Sequence, residues 1–332
     1  MSEVSGNLPT RALVTGAAGF IGSHLAERLV DLGVSVVGVD ALTDYYERTA
    51  KQSNLVRLLD EPKFEFVEHD LMTVELRDLL DGVDVVFHQA AQPGVRLSWA
   101  DGFSNYSERN INVTQRLLEA VRSHPVERFV FASSSSVYGL AEHYPTEETA
   151  EPRPYSPYGV TKYAAELLCR AYAANFGVST VSLRYFTVYG PRQRPDMAIH
   201  RLIEAARNGR PFPLYGSGDQ IRDFTFVSDV VEANVRAGVS QTPPGSYVNI
   251  AGGSSTRLLD LIALVGEIVG REVLIERLPA APGDVRQTGG SIEAARRLLG
   301  WSPVVELRDG VRAQVMWHEA AIVAGHPITY ST

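Results

Sequence analysis

Between an apolar strand-like run, Arg11 to Thr15, and a stretch with Ile21, Leu25, Leu29 and Leu32 on one helical face lies Gly16-Ala-Ala-Gly19-Phe-Ile-Gly22. Three glycines at a spacing of three suit a tight strand-to-helix turn whose backbone must come close to a group seated on the helix N-terminus. A plain tight turn uses the same residues, so the loop alone decides little. The next strand, Val34 to Asp40, ends on a carboxylate 18 residues after Gly22. An acid there can hold ribose hydroxyls and repels a 2′-phosphate, so loop and acid together predict NAD rather than NADP. The cofactor candidates from this region are Gly16, Gly19, Phe20, Ile21, Gly22 and Asp40.

The strand-helix rhythm continues. Phe64 to His69, Val83 to His88, Arg128 to Ser133 and Thr180 to Phe186 read as strands. Thr73 to Leu80, Ser104 to Ser123 and Pro157 to Phe176 read as helices. The fold class expected is α/β, a Rossmann-type doubly wound parallel sheet with a smaller C-terminal lobe. From Thr187 onward, loops rich in Gly, Pro and Arg separate short helices. This divides the chain into a cofactor-binding domain, 1–186, and a substrate lobe, 187–332, with segments near 222–251 able to fold back onto the first. Asp70-Leu71, after the third strand, is placed to meet an adenine ring, and a helix-capping role fits Asp70 almost equally well.

The formal net charge of −8 and the absence of a basic tract argue against nucleic acid. Of 31 basic residues only Lys51, Lys63 and Lys162 are lysines, and Lys162 alone draws a chemical assignment. Cys169 is the single cysteine and lies in an apolar run, which points to core packing and a reducing compartment. The eight histidines lack metal-ligand spacing, so no metal is expected. Met1 to Thr10 lacks the order of a signal peptide and no apolar run is long enough to span a bilayer. The expectation is a cytoplasmic protein without a membrane partner.

Tyr158 and Lys162 are one helical turn apart, so both project from one face. A neighbouring ammonium favours the phenolate and would lower the tyrosine pKa, enabling it to take a proton from an alcohol. Without a cofactor loop, a Tyr-x-x-x-Lys pair is more often incidental. Ser133 to Ser136 form a hydroxyl cluster at the carboxyl end of a strand, where ligands sit in such sheets, although a serine-rich turn has the same sequence.

Several segments, in order, resemble the extended short-chain dehydrogenase/reductases, and within them the nucleotide-sugar epimerases and dehydratases. These are the glycine loop, His88-Gln-Ala-Ala-Gln92, the serines before Val137-Tyr-Gly139, Tyr158/Lys162, Leu183 to Pro191, Tyr215 to Phe224 and Pro282 to Val285. The resemblance implies a catalytic set of Ser134, Tyr158 and Lys162, with Lys162 also holding the nicotinamide ribose. It extends the cofactor set to Asp70, Leu71, Ala90, Ala91, Gln92 and Tyr185. It also implies a homodimer built on the Ser104–Ser123 and Pro157–Phe176 helices.

Within that resemblance, 4,6-dehydratases carry an Asp-Glu pair where this chain has Ser135 and Ser136, which disfavours dehydration. UDP-glucuronate decarboxylases usually carry Glu at the position of Ser136, which weakens that reading. Ala91 to Arg96 and Thr187 to Ala198 are similar to the corresponding segments of UDP-glucuronate 4-epimerases. The function implied is interconversion of UDP-glucuronate and UDP-galacturonate with retained NAD. The alternatives are a UDP-glucose or dual-substrate epimerase, a dehydrogenase releasing NADH, and a catalytically silent NAD-binding protein. The expected sugar-nucleotide contacts are Arg96, Ser134, Ser135, Ser136, Thr187, Arg192, Arg194, Tyr215, Gln220, Arg222 and Arg286, with Arg192 or Arg194 on the C6 carboxylate.

Overall fold

The structure, a computed structural model, describes residues 7–280 and 282–324. Residues 1–6 of the Met1–Thr10 segment, His326 and the last residues of the expected substrate lobe lie outside them. Twelve strands occur in the described chain: β1 (Arg11–Thr15), β2 (Ser35–Asp40), β3 (Phe64–Glu68), β4 (Val85–His88), β5 (Arg128–Ser134) and β6 (Thr180–Tyr185), then β7 (Thr187–Tyr189), β8 (Phe212–Tyr215), β9 (Ile221–Phe226), β10 (Ser246–Ile250), β11 (Ser255–Arg257) and β12 (Ile275–Leu278). The helices are α1 (Phe20–Asp31), α2 (Arg48–Leu59), α3 (Leu76–Leu79), α4 (Phe103–Tyr106), α5 (Val113–Ser123), α6 (Pro157–Phe176), α7 (Ala198–Asn208), α8 (Val227–Val239), α9 (Leu258–Val269), α10 (Glu293–Leu299) and α11 (Leu307–Val323).

Seven parallel strands form the main sheet in the order β3-β2-β1-β4-β5-β6-β10. Both faces are covered over the inner strands, which is why those read as nearly continuous apolar runs, whereas the edge strand β3 alternates Phe and Glu. On one face Ala12, Val14 and Val36 meet Leu25 and Leu29 of α1, Leu58 of α2 and Val230 of α8. On the other, Leu13, Val37 and Val86 meet Leu117 of α5 and Ala165 and Cys169 of α6. Cys169 is thus a core residue, and burial pushes its thiol pKa up.

The chain order and the spatial order part company after β6. Strand β10 and helix α8 return to the main sheet, whereas β9 joins β7 and β11 in a small separate sheet. A second core, around Leu202, Leu214, Phe224, Leu261 and Val311, holds the lobe together. No described helix is long and apolar enough to cross a membrane.

Three elements differ from the sequence expectation. The helix anticipated over Thr73 to Leu80 shrinks to α3, because Asp70 accepts the Met72 N–H at 2.8 Å and Val74 N–H closes onto the Asp70 carbonyl, making a turn instead. Helix α2 was not anticipated; its buried face mixes Leu55 and Leu58 with Lys51 and Asn54, so its apolar period is weak. The 104–123 helix does run from α4 to α5, but through a π-helical turn, Ser107–Asn112.

Candidate active site

A cleft opens at the carboxyl ends of β1 and β4, where the strand order reverses and such sheets place their ligands. Gly16 has φ +71°, and a Cβ there would lie 2.9 Å from the Ala90 backbone. A Cβ on Gly22 would lie 2.0 Å from the Gly16 carbonyl oxygen. The glycines therefore let the loop fold flat under the first turn of α1. That turn carries no side-chain cap and no acidic residue, so its N–H groups face the cleft without an internal anion.

All of the cofactor candidates line this one cleft: Gly16, Gly19, Phe20, Ile21, Gly22, Asp40, Asp70, Leu71, Ala90, Ala91, Gln92, Tyr158, Lys162 and Tyr185. Asp40 accepts the Ala18 N–H at 3.1 Å and the Leu42 N–H at 2.8 Å, which fixes its carboxylate at the cleft wall. Asp70 lines the cleft and closes a turn by accepting the Met72 N–H, but it caps no helix, since α3 starts after Glu75; Arg109 reaches it at 3.4 Å. Lys51 corrects the view that Lys162 is the one lysine of interest. It is buried, lines the cleft and donates to the Thr43 carbonyl at 2.6 Å.

Tyr158 and Lys162 enter the cleft from the first turns of α6. Ser156 caps that helix by accepting the Gly159 N–H at 3.1 Å, with Pro157 at its first position. A Cβ on Gly159 would come within 2.5 Å of the Ser136 carbonyl, so glycine is what lets α6 start against the serine cluster. The electrostatics differ from expectation. Burial raises the Tyr158 pKa, opposed by a hydrogen bond with Ser134 and by the charge of Arg194. Lys162 donates to the Ala132 carbonyl at 2.7 Å, and burial lowers its pKa to about 7. The groups that favour a Tyr158 phenolate here are thus Ser134 and Arg194.

Two buried networks, neither found from the sequence, hold these groups in register. Beneath the serines, Ser133 Oγ donates to Glu166 Oε2 at 2.8 Å, Arg184 Nε donates to the same oxygen at 3.0 Å, and Arg184 Nη1 reaches Tyr138 Oη at 2.7 Å. The pair joins β5, β6 and α6, and both charges are fully covered and paired. On the other side, His88 bridges Thr15 at 2.7 Å and Thr114 at 3.1 Å, and Thr114 donates to the Asn110 carbonyl. Asn110, in the π-helical turn, exchanges hydrogen bonds with the Gln92 backbone and donates to Thr161 at 3.0 Å. Thr161 then donates to the Tyr158 carbonyl at 2.8 Å. The one sequence hint is a single charged residue set in an apolar stretch, as with Glu166 before Leu167 and Leu168 and Arg184 after Leu183.

The sugar-side candidates are more scattered. Arg96 and Tyr215 line a second cavity of about 770 Å³, with the guanidinium 4.0 Å from the Tyr215 ring centre. Ser134 is buried, and Ser135, Ser136 and Thr187 are half-buried around the ends of β5 and β6. Gln220 donates to the Tyr215 carbonyl at 2.6 Å, Arg222 is paired with Asp284 of the second cavity's wall, and Arg286 is exposed on the neighbouring loop. The two candidate carboxylate ligands separate. Arg194 lines the cleft beside Tyr158. Arg192, at φ +63°, turns to the back of α1, where it pairs with Glu27 at 2.8 Å and reaches Ser23 at 3.3 Å. It lines neither cavity, which removes it from the carboxylate set.

Comparison with known proteins shows the family. The profile of the NAD dependent epimerase/dehydratase family matches residues 12–251. A Bacillus subtilis protein described as an uncharacterized UDP-glucose epimerase, YtcB, is 44% identical over 308 residues, covering 92% of this chain and 97% of that one. A UDP-glucuronate 4-epimerase of Thermodesulfobacterium geofontis is 35% identical over 315 residues, covering 93% and 96%. Among solved structures, the UDP-glucuronic acid 4-epimerase of Bacillus cereus, in complex with UDP-glucuronic acid and NAD, superimposes with a TM-score of 0.91 at 42% identity, covering 93% of this chain and 99% of that one.

Proposed function

The chain belongs to the NAD dependent epimerase/dehydratase family, and from that premise we propose that it is a UDP-glucuronate 4-epimerase. The observation that carries this reading is Arg194, a guanidinium on the cleft wall close enough to Tyr158 to act on its pKa. A cation there suits a sugar whose C6 is a carboxylate.

The cleft fits NAD. The flat glycine loop leaves room for a pyrophosphate over the uncapped N-terminus of α1, and Asp40 offers its carboxylate to the adenosine ribose. Asp70 and Leu71 would flank the adenine, while Ala90, Ala91, Gln92 and Tyr185 would line the path to the nicotinamide end. When bound, NAD supplies the redox chemistry at sugar C4.

The protein's own part is proton transfer and control of orientation. Tyr158 takes the C4 hydroxyl proton and returns it after the keto sugar has turned over, and Ser134 orients that hydroxyl. Lys162 would hold the nicotinamide ribose beside Tyr158. A 4-keto sugar with a C6 carboxylate is a β-keto acid, which loses CO2 when the breaking bond aligns with the carbonyl π system. Arg194, Ser134, Ser135 and Thr187 would grip the carboxylate out of that alignment, with Ser136 beside them. Arg96, Tyr215, Gln220, Arg222 and Arg286 would anchor UDP while the sugar turns. Ser135 and Ser136 supply no acid-base pair for dehydration.

The exposed apolar side chains Phe103 of α4 and Val160 and Leu167 of α6, on helices that pack together, support a homodimer through those helices. A buried, unpaired Cys169 is in keeping with a reducing cytoplasm. A second reading, epimerisation of a sugar with an uncharged C6, is favoured by one observation: Arg194 is already paired with Asp196. Separate incubation with UDP-glucuronate, UDP-glucose and UDP-galactose decides between them. UDP-galacturonate from the first is expected; its absence sinks the leading reading.

A further inference from the structure

Arg194 and Asp196 belong to one short loop between β7 and α7, yet they face different cavities. Arg194 lines the cleft with Tyr158, Asp196 lines the second cavity with Arg96 and Tyr215, and Tyr45 lines both. The contact between them is fork to fork, with Nε donating to Oδ1 at 3.0 Å and Nη2 to Oδ2 at 3.1 Å. Tyr45 Oη donates to the same Oδ2 at 3.3 Å. Resting on the reading of the substrate as UDP-glucuronate, we infer that Asp196 is a specificity-determining residue. As the resident counter-ion of Arg194, it sets how strongly a C6 carboxylate is preferred over a C6 hydroxymethyl group.

The reasoning follows from what a guanidinium needs in a confined site. The two side chains are only 19% and 23% exposed, so an unpartnered Arg194 would be a poorly solvated cation and would penalise every sugar that brings no anion. Asp196 removes that penalty. Burial works to raise the Asp196 pKa, and the charge and hydrogen bonds of Arg194 outweigh it, so the carboxylate stays ionised at neutral pH. A guanidinium has five N–H donors in one plane. Asp196 occupies the Nε edge, which leaves the Nη1 hydrogens and one Nη2 hydrogen for a second acceptor on the remaining edge. The arrangement therefore leaves one edge of Arg194 for a ligand in the cleft it lines and at the same time reduces the positive charge that an incoming carboxylate meets. A site built this way discriminates by a moderate factor and keeps an uncharged sugar acceptable.

The test compares wild type and Asp196→Asn on UDP-glucuronate and UDP-glucose, measuring kcat/KM for each and the dissociation constant of each by calorimetry. The ratio of glucuronate to glucose, in kcat/KM and in affinity, is expected to rise about tenfold in the variant, through KM and Kd rather than kcat. General damage to the loop would lower both sugars together and leave the ratio where it was. An unchanged ratio, or one moved toward glucose, overturns the proposal. If the asparagine protein does not fold, Asp196→Ser removes the same charge with a smaller side chain and is read in the same way. Failure of the wild type to bind or turn over UDP-glucuronate refutes the substrate reading alone. The role of Asp196 is still decided then by whether its removal shifts relative affinity toward the carboxylate sugar.

Discussion

The cofactor cleft and the sugar side of the molecule are built by different means. In the cleft, positions along the chain from Gly16 to Tyr185 converge on one wall, and most do so through backbone shape: a glycine loop under α1, strand ends, the first turns of α6. On the sugar side the deciding property is which partner a side chain has taken. Arg192 and Arg194 stand two residues apart, and one is committed to Glu27 behind α1 while the other lies beside Tyr158. Backbone requirements leave a trace in residue type, since only glycine tolerates them. Partner choice leaves none.

The largest effect that can break this contrast is at the centre both regions share. Tyr158→Phe should lower turnover by about 10³-fold or more while nucleotide binding persists; a variant retaining a tenth of the activity would displace Tyr158 from the proton-transfer role. Next comes the arginine pair. Arg194→Ala should lower kcat/KM for UDP-glucuronate by about 10²-fold and release CO2 or a UDP-4-keto-pentose, read by carbonate capture and chromatography. Arg192→Ala should leave the sugar chemistry alone and cost about 1 kcal/mol of stability in urea unfolding, through its pair with Glu27. Reversal of the two outcomes would mean that the arginines exchange places in solution.

Gly22→Ala tests the backbone side of the contrast. A methyl 2.0 Å from the Gly16 carbonyl must reshape the loop, so bound nicotinamide after gel filtration should fall about tenfold or more; full retention would mean that the loop is not the cofactor seat. A separate set of effects is in pH. Burial lowers the His88 pKa to about 3, so the unfolded chain binds a proton that the folded one does not between about 3 and 6.5. Stability should therefore fall as pH drops through that window, and His88→Asn should flatten the slope. For Lys162, lowered by burial to about 7 from an ordinary 10.5, the same sign makes stability rise from pH 7 towards 10.5. Lys162→Met should remove that rise.

These two regions also explain what could be read from the sequence. The main sheet was legible because its inner strands are buried on both faces and the helices over it on one, which writes strong periods, while the edge strand β3 alternates. Tyr158 and Lys162 were legible because one helical turn is a fixed spacing. Helix α2 and Lys51 were not, since a buried face that includes Lys51 and Asn54 hides the apolar period. Nor was the Glu166–Arg184 pair, whose members are 18 residues apart and meet only through the sheet. Asn110 was hidden for a further reason: its role depends on a π-helical turn that no local pattern announces.

The most direct test of the central claim follows the hydrogen at sugar C4. The protein is incubated with UDP-glucuronate in deuterated water, and the products are resolved by nuclear magnetic resonance. Hydrogen taken from C4 and returned to the opposite face of the same carbon gives UDP-galacturonate with protium at C4 and no deuterium on the ring. No UDP-galacturonate, deuterium at C4 or C5 of the product, or a pentose formed with CO2 as the main outcome would contradict it.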